Sequence, residues 1–414
     1  MLETYFSAPK TLKRLRSGPS APYIDGFAAW LEQTGYSPAS AVRYLRAASH
    51  LGHFLDTEGA TFAESDAGMA QTFRQHLPSC RCPLSNGGKI NHHTFFGIKC
   101  FHHYLVQLGV CPDDAAPVGE SDEPALIGGF RHWLEVHRGA ARSTVKQYCR
   151  GASELLEALG NDTQQWGPQQ VRAFFLERCA RDGSVTGEKR VTAVRAFLRY
   201  LIAQGGCRTD LDRAIPRLAH WRLASLPRGL TSEQVEQLLG ACEGDSPGRI
   251  RERAIVLLLL RLALRAGDVA AMRLGDLEWD NATMRVSGKG RYEVRLPLPQ
   301  DVGDALLRYL ECRPRVATDQ LFVGNIAPYK PFVCGGSVSA VVKRLLARAG
   351  VEAPTKGAHL LRHTAATQML RHGIALEQIG SVLRHRGVDT TAYYAKVDVG
   401  LLQPLAQPWP EVMQ

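Results

Sequence analysis

The sequence predicts a mainly α protein: two duplicated helical bundles, then a mixed α/β domain that is mostly helical with one small antiparallel sheet. Three observations predict it. Apolar residues recur at helical spacing through most of the chain, the pattern of helices that bury one face. One helical segment occurs twice, at 27–55 and again at 130–159, so a supersecondary unit is duplicated. A single stretch, 282–299, alternates instead like two strands around a tight turn.

The repeat pairs "FAAWLEQTGYSPASAVRYLRAASHLGHFL" with "FRHWLEVHRGAARSTVKQYCRGASELLEAL". Phe27, Trp30, Leu31 and Glu32 correspond to Phe130, Trp133, Leu134 and Glu135. After a one-residue slip, Tyr44, Arg46, Ala48, Ser49, Leu51 and Leu55 correspond to Tyr148, Arg150, Ala152, Ser153, Leu155 and Leu159. Each unit closes with a similar helix, "FHHYLVQLG" (101–109) and "FLRYLIAQG" (197–205). The expected domains are therefore 1–115 and 120–222, joined by "GVCPDDAAPVGESDEPA", a linker rich in Pro, Gly and acids. A second joint, "CRTDLDRAIPRLAHWRLASLPRGL", carries five arginines against two aspartates, the balance of a segment that tracks a phosphate backbone or of a solvated connection.

A third domain, 228–414, opens at "LTSEQVEQLL", where Thr231 and Gln234 fit a capping box and Leu230 and Val235 a hydrophobic staple. "AIVLLLLRLAL" (254–264) reads as a buried helix, interrupted by Arg261 and too short to span a bilayer. "ATMRVSGKGRYEVRLPLP" reads as a β-hairpin turning at "SGKG". Helical periodicity resumes at Asp301, and helix ends are signalled by Gly373 and Gly387 after basic residues.

A net charge of +10 favours an acidic polymer as partner, nucleic acid before membrane. The N-terminus has basic residues but no apolar h-region, which argues against a secretory signal. Ten scattered cysteines fit reduced thiols in a cytoplasm better than a disulfide framework. Cys80, Cys82, His92, His93, Cys100, His102, His103 and Cys111 form a local cluster. Its "CRC" is not a zinc knuckle and its histidine pairs are adjacent, so buried cysteine and surface histidine are expected. Whether Cys80, Cys82, His92 and Cys100 hold zinc stays open, with Cys100 drawn toward the core by its match to Ala196.

The chemistry concentrates in the third domain. "HLLRH" places His359, Arg362 and His363 on one helical face. A zincin helix would need a glutamate where Leu360 stands, and Arg362 would repel a metal ion. An anion site suits the group better. "LLLLRLALRAGDVAAMRL" puts Arg265 at the end of an apolar helix, where a guanidinium needs a partner, and Asp268 lies three residues on. Lys289 sits at the tip of the hairpin turn. In "SVLRHRGVDTTAYYAKVD", Asp389 or Thr390 can cap a short helix bearing Tyr393 and Tyr394, and cations near a phenol favour the phenolate that attacks phosphorus.

In this order the motifs resemble the tyrosine recombinase (phage integrase) family, over about 228–400, with a looser likeness upstream to its helical core-binding domain. "ALRAGD" resembles the first arginine box, giving Arg265 with Asp268 as its acidic companion. "SGKGR" resembles the hairpin lysine motif, giving Lys289. "HLLRH" matches the second box, giving His359 and Arg362, with His363 structural. "LRHRGVDTTAYYAKVD" resembles the final box, giving His385 and the nucleophile Tyr394, with Tyr393 in an apolar slot. Three positions depart from the family pattern: Ala263 and Arg384 stand where glycine is usual, and Lys396 where histidine is common. The duplicated N-terminal unit is a larger departure.

The resemblance implies a site-specific recombinase or integrase, of the kind carried on mobile elements, that cuts and rejoins DNA through a 3′-phosphotyrosyl link. It implies a synaptic tetramer, a Holliday junction, no ATP, no cofactor and no metal. DNA sites, further copies of the chain and accessory recombinases are the implied partners, and the bacterial cytoplasm with its nucleoid is the implied location. The first unit would bind arm or accessory DNA or contact another protomer, and the tail 401–414 would dock on a neighbouring protomer or pack in cis. Two alternatives stay open: strand relaxation like that of a type IB topoisomerase, and an architectural DNA-binding protein with a degenerate site.

Overall fold

The computed structural model describes residues 1–64, 69–77, 80, 92–111, 124–181, 184–215, 229–287, 293–353, 355–384 and 391. The described residues of 1–64, 70–108 and 223–414 form one compact unit, and those of 65–69 and 109–222 form a second.

The first repeat comprises α1 (Pro9–Leu15), α2 (Ala21–Gln33), α3 (Pro38–Glu58), α4 (Met69–His76) and α5 (His92–Gln107). Helix α3 shows why such helices start and stop where they do. Ser37 caps it by accepting from the Ser40 N–H at 3.3 Å, Pro38 takes the first turn, and Gly59 ends it at φ +67. The second repeat comprises α6 (Ala125–Val136), α7 (Arg142–Leu159), α8 (Pro168–Arg181) and α9 (Ser184–Ala203).

The duplication extends to side-chain geometry. Phe27 stacks on Trp30 at 5.9 Å and 20°, and Phe130 on Trp133 at 6.1 Å and 19°. Phe27 meets Phe101 at 5.0 Å and 58°, and Phe130 meets Phe197 at 5.0 Å and 59°. Tyr104 and Tyr200 close the two clusters against Phe27 and Phe130, each at 5.5 Å. Preserved ring angles require preserved backbone placement, so the repeats share one bundle geometry.

The domain that follows has α10 (Ser232–Gly240), α11 (Pro247–Arg261), α12 (Ala266–Ala271), β1 (Leu277–Glu278), β2 (Thr283–Ser287), β3 (Glu293–Pro297), α13 (Gln300–Cys312), α14 (Gly335–Arg348), α15 (Ala358–Arg371) and α16 (Leu376–Val382). The capping box at Thr231 and Gln234 is present. The three strands are antiparallel in the order β1-β2-β3, and Ser287 pairs with Glu293 across the foot of the hairpin. The two-residue β1 adds an edge strand that the alternation did not predict. Helix α11 is buried from Ala254 to Leu260, and Arg261 escapes to solvent to pair with Asp301 at 2.7 Å. The Thr364 hydroxyl accepts the Leu230 N–H at 2.9 Å, tying the start of the domain to α15.

Cys100 and Cys111 are buried and His103 is exposed, as the sequence suggested, and Cys100 lies 3.3 Å from the Tyr36 hydroxyl. Cys82 and the side chains of His92 and His93 lie outside the described residues. In the arginine-rich joint, Arg208 is engaged locally by Asp210 at 2.9 Å, and 216–228 lie outside the described residues. Among the described residues no helix is long and apolar enough to cross a membrane.

Candidate active site

Two places where a helix ends build the site. Helix α11 stops at Arg261, and Ala263 takes φ +47 before α12 begins. Helix α16 stops at Val382, with Leu383 as its C-cap and Arg384 at φ +53 just beyond. These are the two positions where the sequence departs from the family's glycine, and both sit in the left-handed region that favours glycine.

The last carbonyls of a helix have no partner within it and carry the negative end of its dipole. Arg362, 2% exposed on α15, donates one arm of its guanidinium to the Ala263 carbonyl and the other to the Leu383 carbonyl. Arg265 donates to the carbonyls of Leu383 at 3.4 Å and Arg384 at 3.1 Å. The two arginines therefore converge on one helix end. Burial lowers the Arg265 pKa, the Arg384 charge adds to that, and Asp268 opposes it.

Asp268 was expected to orient the Arg265 guanidinium. It acts through the main chain instead: its carboxylate accepts the Arg265 backbone N–H at 3.2 Å and the Arg384 guanidinium at 2.5 Å. Both partners of the Asp268–Arg384 pair are more than nine-tenths buried. The buried acid at the start of α12 takes its cation from the residue after α16, where the sequence showed only a missing glycine.

His359 and His363 share a face of α15 with Arg362, and their rings meet at 4.1 Å and 70°. His359 is exposed at its outer side, with the rest of the ring against the protein. Desolvation by burial, then the charges of Arg362 and Arg265, lower its pKa below the ordinary imidazole value. That shift favours the neutral ring beside two fixed cations.

The structure brings together Arg265, His359 and Arg362. Lys289, His385, Tyr393 and Tyr394 lie outside the described residues, as do Gly387, Lys396 and the tail 401–414. Thr391 is buried, and a Cβ added to Gly380 of α16 would come within 2.9 Å of its hydroxyl oxygen.

The phage integrase family model matches residues 228–400, and that of the phage integrase N-terminal SAM-like domain matches 127–205. The putative integrase/recombinase y4rA of Sinorhizobium fredii is 33% identical over 416 residues, spanning 99% of this chain and 99% of that protein. The chain belongs to the phage integrase family of tyrosine recombinases. Tyrosine recombinase XerD of Lacticaseibacillus casei is 29% identical over 65% of this chain and 92% of its own length. The fold is that of known recombinases. The XerH site-specific recombinase in a post-cleavage complex with palindromic difH substrate matches with a TM-score of 0.55 at 18% identity, over 83% of this chain and 95% of that one. A lambda integrase (75–356) dimer bound to a COC′ core site matches with 0.53 at 17%, over 70% and 98%. As a member of this family the chain is a DNA strand breaking and rejoining enzyme.

Proposed function

We propose that the protein is a site-specific recombinase of double-stranded DNA that works through a 3′-phosphotyrosyl intermediate. The convergence of Arg265 and Arg362 on the Leu383 carbonyl is the observation that supports this reading most directly. Two planar guanidinium forks held side by side match two non-bridging oxygens of one phosphate. Charge that builds on those oxygens during displacement meets donors already in place.

In the proposed reaction the Tyr394 phenol oxygen attacks phosphorus in line, and the 5′ oxygen of the sugar leaves. His359, neutral beside the arginines, takes the phenol proton. Lys289 on the hairpin turn gives a proton to the leaving oxygen, and His385 hydrogen-bonds the phosphate. The phosphoester bond is kept as a protein–DNA link, so rejoining by the reverse displacement needs no ATP and no cofactor. Strand exchange calls for a synaptic tetramer passing through a Holliday junction, with accessory recombinases as further partners. Residues 120–222 are assigned as the core-binding unit, 228–414 as the catalytic domain and 1–115 as an accessory unit. The likeness over 99% of both chains to a putative integrase/recombinase favours strand exchange over relaxation of supercoils.

Incubation with nicked suicide DNA sites tests the reading. A covalent adduct that persists in Tyr393→Phe and disappears in Tyr394→Phe is expected. Binding without an adduct would support an architectural protein instead, and relaxation without strand exchange a topoisomerase.

A further inference from the structure

The first repeat contains a cluster of ligating side chains that the proposed reaction does not use. His50 lies in the middle of α3 and is buried, with 5% of its surface exposed. His76 ends α4, and Cys80 follows shortly after; both are half-buried. The His50 Nε2 is 3.1 Å from the Cys80 Sγ, and one ligand atom from each of the three residues lies within 4.8 Å of the others. Bond lengths of about 2.3 Å to sulfur and about 2.0 Å to nitrogen put tetrahedral zinc ligands roughly 3.3–3.5 Å apart. The His50–Cys80 separation is therefore close to the one an ion would impose, and the His76 ligand atom lies within 4.8 Å of both.

Aromatic rings surround the group. Phe73 packs on His50 at 5.0 Å between ring centres, and Phe54 packs on His76 at 4.7 Å. Phe54 and Phe73 meet each other at 5.2 Å. These ring contacts fix the imidazole orientations, as the outer shell of a metal site does.

The duplicated unit gives an internal comparison. The position of His50 in the second repeat is Glu154, which pairs with Arg190 at 2.9 Å and Arg150 at 3.2 Å. The second copy ties α7 to α9 there by the Arg190–Glu154 ion pair, whereas the first gathers two imidazoles and a thiol at His50.

We propose that His50, His76 and Cys80 bind one zinc ion that staples α3 to the end of α4. The fourth corner of the tetrahedron is left for a ligand that these three do not supply. The first repeat would then depend on metal for part of its stability, because ligands scattered along the unfolded chain bind zinc only once they are gathered.

Atomic emission spectrometry on the full-length protein, purified under reducing conditions without chelator, is expected to find one zinc per chain. Cobalt substitution of the folded wild-type protein should give the near-ultraviolet thiolate charge-transfer band. The band should vanish in Cys80→Ser, weaken in His76→Gln, and persist in the control Cys334→Ser, whose thiol is exposed. A folded wild-type protein that holds no zinc and gives no cobalt–thiolate band would overturn the proposal. So would a band that survives in Cys80→Ser. The wild-type measurement stands even where a variant fails to fold.

Discussion

Arg265 and Arg362 donate to the same acceptor, the carbonyl oxygen of Leu383 at the end of α16. Two cations brought this close repel each other, and a helix terminus offsets only part of that repulsion. With the Asp268 carboxylate committed to Arg384 and to the main chain of α12, the arrangement gains most from an anion that both guanidiniums can reach. In the proposed reaction a phosphodiester would provide it.

The first prediction concerns that grip. Arg265→Lys keeps a positive charge but loses the planar fork. Loss of one preorganised donor in such a site typically slows the chemical step by about 10²–10³-fold. Single-turnover cleavage of a suicide substrate should fall by that factor while the melting temperature stays near wild type. A rate within threefold of wild type would show that Arg265 does not touch the phosphate, a threshold well below the loss of about 10² expected for a donor.

A second prediction isolates the buried pair. Asp268→Ala leaves Arg384 charged in a nine-tenths buried position, which typically costs about 3–5 kcal/mol. Arg384→Gly removes the cation and places glycine at φ +53, so the double variant should regain most of the loss. Urea unfolding of the two single variants and the double variant measures the coupling; additive effects would mean the pair is not an energetic unit.

Much of this was legible in the sequence. The capping box at Thr231, the hairpin strands and the duplicated aromatic residues follow from local spacing, so they appear where expected. Arg265, His359 and Arg362 were legible as residue types in order. Their acceptors were not, because Ala263 and Leu383 act through main-chain carbonyls, which any residue has. The partner of Asp268 was hidden by distance along the chain, as was that of Cys80, whose imidazole neighbour His50 lies on an earlier helix.

A third prediction follows from the left-handed residue between α11 and α12. Holding an alanine at φ +47 costs roughly 1–2 kcal/mol. Glycine removes that strain but adds about 0.4–1 kcal/mol of unfolded-state freedom. Ala263→Gly should therefore stabilise the chain by about 0.5–1 kcal/mol in urea unfolding, the difference between those two terms, and leave cleavage intact. Destabilisation would show that the Ala263 methyl contributes more to packing than the backbone loses to strain.

A fourth prediction concerns pH. His359 faces Arg362 on its own helix, Arg265 from the start of α12 and the ring of His363, and its pKa is depressed. The proposed reaction uses the neutral ring, so the acid limb of the rate profile should lie below pH 6.5, the ordinary value. The folded state binds fewer protons than the unfolded state in that window. The histidine's contribution to stability is therefore complete above pH 6.5 and declines as pH falls through the window. Removing a neighbouring cation eases protonation, so Arg265→Gln should raise the His359 pKa in an NMR titration. An unmoved pKa would separate the two side chains.

The last prediction tests the shared geometry of the repeats. A Cβ on Gly129 would lie 2.4 Å from the Tyr200 hydroxyl, and one on Gly26 would lie 2.2 Å from the Tyr104 hydroxyl. Neither tyrosine can easily yield, because each ring is held in its phenylalanine–tryptophan cluster. Overpacking of this kind typically costs about 1–3 kcal/mol, more than the roughly 1 kcal/mol an alanine gains over glycine within a helix. Gly129→Ala should therefore lower the stability of the second repeat and weaken DNA binding with it. Adding Tyr200→Phe removes the atom that the new methyl meets, so the double variant should recover to or above the stability of Tyr200→Phe alone. If Gly129→Ala raises stability by itself, the close approach of α6 to the Tyr200 hydroxyl on α9 is not what selects glycine there.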